Sequence, residues 1–88
     1  SANTLAKMRM GIADNLLTSL LLATKAPVAV APAMNDGMWT SAATQENIDV
    51  LRSRGVLVIS PDEGALACGT SGPGRMAEPA HIFKELFK

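Results

Sequence analysis

Three short segments of this chain carry residue types that could do chemistry, and each lies where a regular pattern breaks. Ala67-Cys68-Gly69-Thr70-Ser71-Gly72-Pro73-Gly74-Arg75-Met76 sets the sole thiol in a glycine-rich stretch. A loop thiol can donate a proton or attack an electrophile, although a lone cysteine is also commonly an inert small apolar residue. Pro32-Ala33-Met34-Asn35-Asp36-Gly37-Met38-Trp39 concentrates two methionines, a tryptophan and a carboxamide. A carboxamide can hold a carboxylate without adding charge. The blander reading makes Met34, Met38 and Trp39 core filler and Asn35 a helix cap. Ser1-Ala2-Asn3-Thr4 opens a helical pattern, where free backbone N–H groups and small side chains can approach a flat or anionic ligand; ordinary capping explains the same residues. His81, the one histidine, falls on the last helical stretch beside Glu78 and reads as a surface residue.

The elements that position these segments follow from periodicity. Asn3 or Thr4 can cap a first helix carrying Leu5, Met8 and Ile12 near one face, interrupted at Gly11. A second helix runs from Asp14 as N-cap through Leu16, Leu17, Leu20 and Leu21 and stops before Pro27. Its apolar residues nearly encircle it, which predicts burial. Val28 to Ala31, bounded by Pro27 and Pro32, suits a strand buried on both faces of a parallel sheet. Residues 32–39 then form a loop at a strand's C-terminal end, the edge where ligands collect in open α/β sheets. A helix from Ser41 to Arg54 turns Ile48 and Leu51 inward and ends at Gly55. Val56 to Ile59 is a second buried strand, residues 61–79 are an irregular or hairpin-like loop, and residues 80–87 form a last helix with Ile82, Phe83 and Leu86 inward. The order is that of an α/β layer, yet two strands make no stable parallel sheet by themselves.

Composition narrows the function classes. Eighty-eight residues allow one small domain, and eight basic residues balance eight acidic ones without a basic stripe, which argues against nucleic acid as a partner. No run approaches the roughly 20 apolar residues of a membrane span. One cysteine excludes an internal disulfide and a multi-cysteine zinc cluster, and fits a reducing cytoplasmic compartment with no structural metal. Hydrophobic residues make up 48% of the chain, a high load for its length, so part of that surface should face another segment or subunit.

Taken together, the three segments resemble the flavin-containing cysteine decarboxylases, in particular the phosphopantothenoylcysteine decarboxylases. Ser1 to Thr4 is similar to the end of their Pro-Ala-Ser-Ala-Asn-Thr motif, Pro32 to Trp39 fits Pro-x-Met-Asn-x-x-Met-Trp, and residues 67–79 resemble their substrate-recognition clamp. The resemblance implies a Rossmann-like flavoprotein with a three-layer parallel sheet, of which residues 1–88 are the C-terminal half. The N-terminal half would bring further strands, the phosphate site of FMN and a histidine base that His81 does not match, so that this chain alone would be inactive. It implies FMN as cofactor, with Ser1, Ala2, Asn3, Thr4 and Ala33 touching it. Asn35 would hold the substrate carboxylate, Ala65 and Ala67 would line the substrate, and Cys68 would be the proton donor.

The implied reaction oxidises the cysteine thiol of 4′-phospho-N-pantothenoylcysteine to a thioaldehyde, releases carbon dioxide from the resulting β-thioketo acid, and reduces the enethiol to 4′-phosphopantetheine on the way to coenzyme A. Trimers or dodecamers, and a synthetase domain following the decarboxylase as in many bacteria, are further implications. Two relatives of the same fold are the alternatives. Peptidyl-cysteine decarboxylases stop at the enethiol and lack the clamp cysteine, against which Cys68 argues. Non-catalytic regulatory relatives carry long acidic tails or lose catalytic residues, whereas Asn35 and Cys68 remain.

Overall fold

A computed structural model describes residues 1–61 and 75–88. The chain opens with helix α1 (Ala2–Met10), and Ser1 is its cap: Ser1 Oγ accepts the Thr4 N–H at 3.2 Å. Asn3 and Thr4, the expected caps, are already helical, because the serine hydroxyl one turn earlier satisfies the first orphan donor. The helix ends where Gly11 takes φ 73°, which lets Gly11 N–H reach Met8 O at 3.4 Å and Ile12 N–H reach Lys7 O at 3.0 Å. This paired closure favours glycine at the left-handed position. It also turns Ile12 away from the face of Leu5, leaving it exposed.

Helix α2 (Leu16–Ala23) starts one residue later than expected, on Asn15 rather than Asp14. Asn15 Oδ1 accepts the Thr18 N–H at 2.8 Å, and Thr18 Oγ1 accepts the Asn15 N–H at 3.1 Å, a reciprocal capping box. The predicted burial of α2 is overturned: Leu16 is 85% and Leu20 61% exposed, and Thr18 is its one buried residue. A helix that is apolar on every side needs neighbours on every side. Here it packs mainly along α1.

Strands β1 (Ala29–Val30) and β2 (Leu57–Val58) pair in parallel with Ala29 opposite Leu57 and Val30 opposite Val58. Leu57 N–H donates to Val28 O at 3.0 Å and Ile59 N–H to Val30 O at 2.9 Å. Both were expected to be buried on two faces, yet Ala29 and Leu57 are exposed while Ile59 is covered. Among the described residues the sheet has two strands, which leaves part of its surface without a neighbouring strand there.

Residues 32–39 are not wholly loop. A short helix α3 (Asp36–Thr40) forms because Asn35 is a strong cap, and it leads into α4 (Ala42–Ser53) at Ser41. Thr44, Ile48 and Leu51 recur at helical spacing and are buried, as the periodicity of α4 predicts for the last two. Gly55 follows the helix end with φ 90°. The core is Leu5, Ile48 and Leu51, with Met8, Val30, Met34, Trp39, Val56 and Val58 packed around it. Polar ties join the same two helices, since Arg9 Nη1 donates to Asn47 Oδ1 at 3.3 Å and Arg54 Nη1 to Arg9 O at 2.7 Å.

Helix α5 (Pro79–Leu86) begins with Pro at its first position after Glu78, and Arg75 pairs with Glu78 just before it. Its expected inward face is not covered: Phe83 is 65% exposed and Leu86 46%, while Ile82 is half-buried. Phe83 instead stacks on Phe87 with ring centroids 4.8 Å apart. No helix among the described residues is long and apolar enough to cross a membrane.

Candidate functional site

The strand end that was expected to gather ligands does gather two distant parts of the chain. Ser1 and Thr4 at the start of α1 and Ala31 and Pro32 after β1 border one cavity of about 240 Å³, with Leu5 and Val28 among its apolar walls. The pairing of β1 with β2 fixes one side. The packing of Leu5 into the core fixes the other, so α1 must start beside the end of β1. Ala2, Asn3 and Ala33 lie next to these residues in sequence but outside the cavity lining.

An apolar wall of Leu5, Met8, Leu17, Leu21 and Val28 with the hydroxyl residues Ser1 and Thr4 beside it fits a flat ring system that needs a few hydrogen bonds at its edge. Ser1 Oγ and Thr4 Oγ1 are 3.1 Å apart and exposed, and each hydroxyl has capacity for a further bond. The residues present therefore suit a flavin ring.

Asn35 closes the next step of the chain. Its Oδ1 accepts the Gly37 N–H at 2.8 Å and the Met38 N–H at 3.3 Å. Gly37 also matters sterically, since a Cβ there would meet Asn35 Oδ1 at 3.0 Å. With the oxygen committed to the cap, the Nδ2 amide of an exposed Asn35 is the group turned to donation. The blander reading holds for Met34 and Trp39, which pack on the core, and for Asn35, which is a cap; that cap leaves the Asn35 Nδ2 amide able to donate. Met38, expected as filler under the blander reading, is 49% exposed. Asn35 itself is not part of the cavity lining.

Ala65, Ala67 and Cys68, with the loop around them, lie outside the described residues. His81 is on α5, half exposed, with Nε2 3.6 Å from Glu85 Oε1, a helix-surface pair one turn apart. Among the described residues no group of three or more His, Cys, Asp or Glu side chains could hold a metal.

Two features were not legible in the sequence. Gln45 Nε2 donates to Trp39 O at 2.6 Å, a side-chain bond across the α3–α4 junction that no capping or spacing pattern announces. Lys7 Nζ meets Asp14 Oδ2 at 2.7 Å, and this hydrogen bond, foremost, holds the Asp14 carboxyl below its ordinary pKa. Lys7 borders a second cavity of about 190 Å³ at the far end of α1, away from Ser1.

Comparison with known proteins places these features in context. The sequence profile of the Flavoprotein family matches residues 1–88. The Escherichia coli coenzyme A biosynthesis bifunctional protein CoaBC is 51% identical over 82 residues, which are 93% of this chain and 20% of that protein. A cysteine-to-serine variant of a PPC decarboxylase, solved with pantothenoylaminoethenethiol, superposes with a TM-score of 0.88 at 41% identity. That match covers 97% of this chain and 48% of the other. The FMN-dependent cysteine decarboxylase SpaF superposes with a TM-score of 0.76 at 40% identity, over 97% of this chain and 45% of its own. The chain thus spans about a fifth of the curated relative's length and about half of the solved chains.

Proposed function

Because this chain belongs to the Flavoprotein family and shares the Rossmann-like α/β fold of its decarboxylases, we propose that it forms part of an FMN-dependent phosphopantothenoylcysteine decarboxylase of coenzyme A synthesis. Residues 1–88 are read as the C-terminal half of that decarboxylase domain, working together with the part of the fold they do not span. What carries the reading is the cavity shared by Ser1, Thr4, Ala31 and Pro32, in a chain that superposes over 97% of its own residues, at 41% identity, on about half of a PPC decarboxylase.

When bound, FMN supplies the redox couple that takes two electrons from the substrate thiol and returns them to the enethiol. Ser1, Ala2, Asn3, Thr4 and Ala33 would hold it, with Ser1 and Thr4 offering their hydroxyls at the cavity. Asn35 Nδ2 donates to the substrate carboxylate and fixes its orientation, while Oδ1 stays on the cap. A neutral donor suits this task, since it lets the carboxylate leave as carbon dioxide without the loss of an ion pair. Ala65 and Ala67 line the substrate, and Cys68 delivers the last proton to the enethiol carbon, giving 4′-phosphopantetheine. An unperturbed thiol, with a pKa of about 8.5, is mostly protonated at neutral pH, and a serine hydroxyl is a much weaker acid of similar size.

The test compares wild type with Cys68→Ser in the FMN-loaded full-length protein given 4′-phospho-N-pantothenoylcysteine. Wild type should release carbon dioxide and form the fully reduced product. The variant should release carbon dioxide once and yield a product lacking two hydrogens. Fully reduced product from the variant at the wild-type rate removes Cys68 as donor; no carbon dioxide from either protein removes the decarboxylase reading.

A further inference from the structure

We infer that Gln45 is a positioning residue for Asn35, acting through the Trp39 carbonyl to fix α3 against α4. The inference rests on the reading of Asn35 as the carboxylate partner. Helix α3 has five residues, too few to persist by its own hydrogen bonds. Of its last carbonyls Met38 O accepts the Ser41 N–H at 3.4 Å, and a part-buried carbonyl left unpaired is costly. Gln45 Nε2 satisfies another, that of Trp39, at 2.6 Å.

Gln45 is itself well held. Its backbone N–H donates to Ser41 O at 3.0 Å in the first turn of α4, and the adjoining Thr44 and Ile48 are buried. Trp39 supplies a second anchor, its side chain packing on the core of Leu5, Ile48 and Leu51. Within α3, Thr40 Oγ1 donates to Asp36 O at 2.9 Å. The chain of constraint therefore runs from the core through α4, Gln45 and Trp39 to the helix whose amides donate to Asn35 Oδ1. If Gln45 lets go, α3 frays, the bonds from Gly37 and Met38 to Asn35 loosen, and the Asn35 amide loses its fixed direction. Binding of the substrate carboxylate weakens, while the chemical steps, which Gln45 does not touch, keep their rate.

Two variants test this in the FMN-loaded full-length protein: Gln45→Met, similar in length without a donor, and Gln45→Glu, nearly isosteric with a titratable group. Hydrogen exchange at the Gly37 and Met38 amides should quicken about three- to tenfold in Gln45→Met, the range expected for one lost hydrogen bond. KM for 4′-phospho-N-pantothenoylcysteine should rise by a similar factor with kcat unchanged. Relative to wild type, the defect of Gln45→Glu should shrink as pH falls from about 8 toward 5, since a protonated carboxyl donates again, while that of Gln45→Met stays constant. Unchanged exchange at both amides, or a fall in kcat with KM unmoved, overturns the inference. Quickened exchange in a protein whose wild type turns over no substrate supports the positioning role and removes the decarboxylase reading instead.

Discussion

Asn35→Asp separates the cap that Asn35 forms from the carboxylate contact proposed for it. Aspartate caps helices as well as asparagine does, so Oδ1 can still accept from Gly37 at 2.8 Å and Met38 at 3.3 Å, and the fold should keep its stability. What changes is the other end of the group. The Nδ2 donor to the substrate carboxylate is lost, which removes about 1.5–3 kcal/mol of hydrogen bonding to a charged partner. A second carboxylate then faces the first. At about 5 Å and an effective dielectric of about 20, the repulsion is about 3 kcal/mol. Since the terms overlap, a loss of about 3–6 kcal/mol is expected, or about 10²- to 10⁴-fold in kcat/KM. The assay is steady-state turnover of 4′-phospho-N-pantothenoylcysteine by the FMN-loaded full-length protein, with flavin absorbance and thermal melting as controls. The defect should ease at lower pH, because the substrate's charge raises the pKa of the new carboxyl and its protonation restores a donor. A kcat/KM within about threefold of wild type, with FMN content intact, would refute the assignment of Asn35 to the carboxylate.

Two further predictions concern stability. Ile48 is fully buried at the centre of the Leu5 and Leu51 cluster, so Ile48→Ala should destabilise by about 2–5 kcal/mol, read as a lower urea midpoint at unchanged slope; a loss under about 0.5 kcal/mol would contradict that core. The Asp14 carboxyl, its pKa lowered by Lys7, adds stability fully present above the unfolded carboxylate value of about 3.9 and lost as pH falls through the lowered one. The difference in denaturation midpoint between wild type and Asp14→Asn should therefore be seen at about pH 7 and vanish near pH 2, and a difference that grows on acidification would reverse the assigned sign.

The parts of this fold that sequence revealed are those governed by local rules. Helix α4 was legible because Ile48 and Leu51 repeat at helical spacing and Gly55 stops the helix. The strand pair was legible because prolines bracket one apolar run and a glycine precedes the other. Boundaries that depend on competition between neighbouring caps were not, as Ser1 in place of Asn3 and Asn15 in place of Asp14 illustrate. Burial failed for a different reason. Leu16, Leu20 and Phe83 carry apolar patterns suited to a covered face, but a pattern records what a residue favours and not whether these 88 residues contain the surface to cover it. At the site, the residue types of Ser1 to Thr4 and Pro32 to Asn35 were legible, while the meeting of Ser1 and Thr4 with Ala31 and Pro32 around one cavity depends on strand pairing and core packing. The bond from Gln45 to Trp39 was invisible because it joins a side chain to a carbonyl across a helix junction.

The most direct test of the account is the mass spectrum of products after the FMN-loaded full-length protein meets an equimolar mixture of 4′-phospho-N-pantothenoylcysteine and a peptide ending in cysteine. The account predicts 4′-phosphopantetheine and an unaltered peptide. A peptide that has lost carbon dioxide and two hydrogens, beside an untouched phosphopantothenoyl substrate, would contradict it.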